Sequence, residues 1–150
     1  MANLDRNGTI DLRIWSDTAP LGELAKNVAL TVNVVHVRGE RFVRYNGKSS
    51  QNPARQNYVG FDIGSVQAPA QANAAIAHAL SALEGTQLAA AIASGEAKAQ
   101  LIVAAFRGDI DWASQLSPDL IAKAKAQHLR VLIEHYDRFK DDGSPLSVHL

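Results

Sequence analysis

Chemistry requires side chains that titrate, ligate or attack, and in this chain they are dispersed. The 5 histidines, His36, His78, His128, His135 and His149, never fall into an HxH, HxxxH or HExxH spacing, so no local segment clips a metal ion. There is no cysteine, hence no disulfide, no thiolate nucleophile and no zinc site of the cysteine type. No serine stands in a GxSxG setting, and neither a GxxxxGK(S/T) nor a GxGxxG loop offers a phosphate cradle. The compact titratable cluster is His135 with Glu134 and Asp137, which near a strand end would serve as acid or base, although a solvated strand end accounts for it more cheaply. Asp62 is the sharper case. Flanked in its strand by Gly60 and Gly64, its carboxylate is either solvent-facing at an edge or buried and paired, and pairing would shift its pKa. Arg13 is the available partner, but Asp11 and Arg13 share a strand face, so a polar sheet surface also explains them. A pocket near Arg13, Asp62 and His135 is the expectation under which the chain handles a small ligand or a substrate. No catalytic residue, metal ligand or cofactor is assigned.

Binding residues are easier to nominate than reacting ones. Trp15 lies on the polar face of its strand and Trp112 in a loop, and large aromatics are enriched at interface centres. With Arg55, Tyr58 and Tyr136 they form the expected contacts for a partner, set against the default that large rings simply fill the core.

Composition narrows the partners. A chain of 150 residues buries roughly 70% of the surface its unfolded form exposes, enough for one real core. Its 15 basic and 15 acidic side chains cancel without any block of like charge, so the electrostatic footprint of a nucleic-acid binder is absent. No apolar stretch approaches the roughly 20 residues that cross a bilayer, and the opening residues have neither the charged nor the apolar region of a secretion signal. The expectation is a cytoplasmic protein with no nucleic-acid or membrane partner, engaging another protein or itself.

Periodicity supplies the elements that must position these residues. Residues 1–8 are polar and read as a flexible tail. Residues 9–16 alternate Ile10, Leu12 and Ile14 against Asp11, Arg13 and Trp15, the period of a half-buried strand. Asp17 to Pro20 offer a cap and an early proline for a short helix carrying Leu21, Leu24 and Val28. The β-branched run 31–37 predicts a strand, where adjacent Val34 and Val35 signal burial on both sides or a bulge, and residues 41–45 extend or pair with it. Residues 47–57 are a turn-rich loop. A strand over 58–65 has a second face so bare that something is expected to pack over its glycines. An alanine-rich helix over 67–83 ends near Gly85, and a shorter one over 87–94 ends near Gly95. Residues 99–106 are apolar enough for a central strand. Ser117, Pro118 and Asp119 then start a helix as cap, first-turn proline and dipole-facing acid, and a strand over 129–136 closes the domain. Residues 138–150 read as a polar tail docked by Leu146 and Val148. The fold class is α+β: a single domain over 9–137 with a mostly antiparallel sheet covered by two or three helices. The recurrence of strand, helix, strand allows two similar halves sharing one sheet, and parallel βαβ packing is the alternative.

The stretch IDLRIWSD, the loop at Arg38, Gly39 and Glu40, the strand NYVGFDIGS before a long helix, and the ending LSPDLIAKAKAQHLRVLIEHYD resemble the bacterial domain of unknown function family 4279. The resemblance spans most of residues 9–137. Members commonly show an aromatic and a small polar residue flanking the middle strand, which Tyr58 and Ser65 match, although tryptophan is more usual at the first position. The resemblance implies a small cytoplasmic α+β protein and supplies no catalytic residues. Two functional expectations follow: a non-enzymatic protein-binding module, such as an immunity-type protein that neutralises a toxin, or a small-ligand sensor or enzyme with a pocket near Asp62, Arg13 and His135.

Overall fold

The computed structural model describes residues 7–44, 46–107 and 109–150, with the backbone alone for Asp137 and Arg138. Six strands form one sheet: β1 (Gly8–Ser16), β2 (Thr31–His36), β3 (Asn57–Val66), β4 (Lys98–Ala105), β5 (Leu129–Phe139) and β6 (Pro145–His149), in the order β2-β3-β1-β4-β5-β6. All neighbours are antiparallel except β4 and β5. Between the strands lie the helices α1 (Leu21–Ala25), α2 (Pro69–Leu83), α3 (Gln87–Ala93), α4 (Trp112–Gln115) and α5 (Pro118–Ala126). The α+β class and the mostly antiparallel sheet are as the sequence predicts. Parallel packing holds for a single adjacent pair. The two strand-helix-strand units are not equivalent: β4 and β5 lie side by side, whereas β1 and β2, also parallel to each other, are separated by β3. This is split βαβ connectivity.

One face of the sheet carries the core. β1 alternates buried and half-buried along its length, sending Ile10, Leu12 and Ile14 into a cluster with Leu21, Ile76, Leu80, Leu88, Trp112 and Ala124 from all five described helices. The opposite face presents Asp11, Arg13 and Trp15 without a helix above them. Ser117 caps α5 as predicted, its hydroxyl accepting the Leu120 N–H at 3.4 Å, and Pro118 occupies the first turn. At α1 the cap differs from expectation. Neither Asp17 nor Thr18 caps it; the buried Ser16 hydroxyl instead accepts the N–H groups of Thr18 at 3.2 Å and Ala19 at 2.9 Å.

Two boundaries move, and one expectation of burial is resolved. The predicted tail over 1–8 falls largely outside the described residues, but Asn7 and Gly8 belong to the sheet: the Asn7 N–H donates to Val66 and its carbonyl accepts from Phe106. The predicted tail over 138–150 contains β6, which pairs with β5 through Ile133 opposite Val148 and His135 opposite Leu146. Leu146 does not dock as expected: it is exposed and Val148 only half-buried, so the backbone ladder with β5 holds the segment, with Leu150 packed on the core beyond it. Finally, β2 is exposed along almost its whole length, so the adjacent valines mark the bulge, between Val32 and Val34, and not two-sided burial.

Candidate functional site

Across one end of the open face the strands set three rings in register. Trp15 of β1 stands opposite Tyr58 of β3, and Tyr58 stands opposite His36 of β2. Directly paired residues share a face, so these side chains form a row. The His36 and Tyr58 ring centres are 5.5 Å apart, and Phe42 stacks on His36 at 3.9 Å with an interplanar angle of 22°. Such separations suit offset and tilted aromatic contacts.

Phe42 arrives there because residues 37–56 leave the sheet as a folded excursion and do not continue β2. Only the isolated bridge between Val43 and Ser49 echoes the predicted pairing of 41–45, and Tyr45 lies outside the described residues. The excursion is laced by its own backbone: Gly39 N–H to Ala54, Ala54 N–H to Glu40, Ser50 N–H to Phe42 and Arg44 N–H to Lys48, all between 2.7 and 2.9 Å. The buried Ser50 hydroxyl accepts the Phe42 N–H and donates to the Asn52 carbonyl at 2.8 Å. At its base, the Arg38 N–H donates to the Asn57 side chain at 2.8 Å, and the Arg38 guanidinium and Gln56 amide reach Asp17.

Between this excursion and the aromatic row is an open cavity of about 560 Å³, bordered by Trp15, His36, Phe42 and Tyr58 and by the cations Arg44 and Arg55. Burial lowers the His36 pKa, keeping the imidazole neutral near pH 7. Burial also raises the Tyr58 phenol, with Arg13 opposing and Asp11 reinforcing the shift. The bare face predicted for β3 is filled at one glycine: a Cβ on Gly60 would lie 2.9 Å from the Asn33 side-chain oxygen and 3.3 Å from the Tyr58 hydroxyl.

The other nominated residues do not join this site. Arg13 pairs with Glu134 of β5 at 3.7 Å, reaching across β4 and the fully buried Ile102. Tyr136 donates its hydroxyl to the same Glu134 at 2.8 Å, and its ring meets Phe106 at 5.7 Å. Asp62 is exposed opposite Asp11, on the flank of β1 away from Glu134. His135 follows Glu134 directly along β5, so its side chain leaves by the other face of the sheet. Arg13, Asp62 and His135 therefore do not converge, and the expectation of a pocket built from all three is corrected. Trp112 is corrected too. It opens the one-turn helix α4 and is fully buried, so it offers no contact to a partner. Its ring packs where Gly8 lacks a side chain, 3.2 Å from the place a Cβ would occupy.

Among the described residues no group of three or more His, Asp or Glu gathers as metal ligands, and no helix is long and apolar enough to cross a membrane. Of the residues bordering this cavity, sequence reasoning nominated Trp15, Tyr58 and Arg55 and did not nominate His36, Phe42 and Arg44. The local signal for the missed three was a histidine ending a β-branched run and an aromatic between two arginines, neither of which specifies a cavity by itself. Compared with known proteins, the chain matches no family model, no curated protein and no solved structure.

Proposed function

We propose that this chain is a non-catalytic protein-binding module of the bacterial cytoplasm, an immunity-type protein that neutralises a toxin being its natural form, and that it belongs to family 4279, which it resembles. The observation that carries the reading is the meeting of Trp15, Tyr58 and Arg55 at one concave surface. Tryptophan, tyrosine and arginine are the residues that dominate interface energetics when a pocket holds them. His135 lies on the face of the sheet opposite Arg13 and Asp62, so these three do not make one acid-base pocket. The immunity form is an analogy from size and class.

The test is co-expression with the product of the neighbouring gene. A complex of fixed stoichiometry is expected, weakened on the order of a hundredfold by Trp15→Ala combined with Arg55→Ala, the scale of lost interface anchors. Affinity unchanged in that double variant would refute the named surface. A second reading, a small-ligand sensor, is favoured by the cavity volume of about 560 Å³, which falls in the range of roughly 300–1,000 Å³ typical of ligand sites. In that reading the site is the cavity at Trp15 and not the surroundings of Asp62.

A further inference from the structure

The cavity combines two chemistries that point to one class of occupant. Its floor and one wall are rings: Trp15, Tyr58 and His36 in a row, with Phe42 stacked on the last. Its charged groups are the guanidiniums of Arg44 and Arg55, and no aspartate or glutamate is among the described residues that border it. Neither arginine takes part in an ion pair among the described residues, in contrast to Arg13 and Arg107, which do. Tyr58 and His36 add no charge at neutral pH, and the remaining polar border is made of neutral side chains such as Gln51, Asn52 and Gln56. The cavity is thus apolar and flat-walled at its base and net positive at its mouth.

We infer that the cavity selects a planar aromatic ring carrying an anionic group, the ring lying against Trp15 and Tyr58 and the anion meeting Arg44 and Arg55. The inference rests on the reading of this cavity as the binding surface and deepens it by naming what enters. On a protein partner the same chemistry belongs to an aromatic residue at a free C-terminus or beside an acidic side chain. Guanidinium forks donate to carboxylate and phosphate oxygens alike. A ring placed on an aromatic row keeps its faces in van der Waals contact, while an unpaired anion near two arginines gains charge-assisted hydrogen bonds that a neutral amide cannot match.

Four probes of matched ring size separate the possibilities: naphthylacetate, naphthyl phosphate, naphthylacetamide and naphthylethylamine, titrated into isotope-labelled protein while the Trp15 indole N–H resonance is followed. One of the two anions is expected to shift that resonance with an affinity on the order of tenfold above the neutral amide, the size of a hydrogen bond gained by a charged group. The cationic amine should bind more weakly than the amide. Arg55→Gln and Arg44→Gln should each erase most of the anion preference, lowering the anion's affinity by several times more than the amide's, because both residues are exposed and their loss leaves the aromatic row in place. An anion preference kept in both variants overturns the role given to the arginines. Whichever anion binds tighter identifies the source class, carboxylate or phosphate. Equal affinity for anion, amide and amine overturns the charge selectivity alone. No shift at Trp15 with any probe overturns the ring site as well. The reading of this cavity as the protein-binding surface fails separately, when a purified partner's affinity is indifferent to Trp15→Ala.

Discussion

The two strand-helix-strand units of the sheet use similar parts to opposite ends. In the second, β4 and β5 lie adjacent under α5, and Leu101, Ile102, Val103, Val131, Leu132 and Ile133 are all buried. In the first, β3 intervenes between β1 and β2, pushes β2 to the sheet edge and leaves Val32, Val34 and Val35 between 36% and 44% exposed. The displaced strand is followed by the excursion over 37–56, whose fold back over the sheet end walls the cavity. A strand packed between neighbours serves stability. An edge strand with a long connection has spare surface, and recognition sites are drawn from such places.

The largest effect expected to expose this contrast comes from Trp112→Ala. Trp112 is fully buried in the second unit, and truncation of a buried tryptophan costs about 3–5 kcal/mol, measurable by urea unfolding. Trp15→Ala, by comparison, should disturb binding far more than stability. A loss at Trp15 as large as at Trp112 would erase the division of labour between the units. A middle-sized effect is expected at Tyr136, whose hydroxyl donates to Glu134. Tyr136→Phe should cost about 1 kcal/mol, the usual net worth of one such hydrogen bond. Burial, followed by the Glu134 hydrogen bond and charge, raises the Tyr136 pKa against the opposing influence of Arg13. A raised pKa means that the native state favours the protonated phenol, so this stabilisation is present below the ordinary tyrosine value and is lost as pH climbs through the raised one. The variant should therefore show a shallower alkaline fall in thermal midpoint than the parent. The smallest effect belongs to Val35→Lys on β2. An exposed edge position tolerates charge, and unfolding free energy should stay within about 0.5 kcal/mol of the parent. A loss of several times that size would mean that β2 is covered in solution.

What the sequence made legible was local. β1 and β4 stood out because apolar alternation survives any arrangement of neighbours, and the start of α5 because Ser117, Pro118 and Asp119 act within one turn. The bulge in β2 was readable from Val34 and Val35, but the exposure of the strand was not: β-branched residues suit any pleated surface, and only strand order decides which lies at the edge. Trp112 was misread for a related reason. Its place depends on Gly8, about a hundred residues earlier, leaving room on β1 for the ring, a pairing no window of sequence contains. The same distance effect divides the site. Trp15 and Tyr58 were found because each declares its face by alternation, whereas Phe42 and Arg44 reach the cavity only through the backbone lacing of the excursion.

The position of β1 in the sheet also governs how the chain folds in time. Its two partners are distant along the polypeptide: Leu12 sits opposite both Phe61 and Leu101. Loops of about fifty and about ninety residues must close before this strand is flanked on both sides, and topologies dominated by such closures fold in milliseconds to seconds, not microseconds. During synthesis the backbone edge of β1 that faces β4 would stay unpaired until β4 has emerged from the ribosome, leaving that row of N–H and C=O groups open to non-native pairing in the nascent chain.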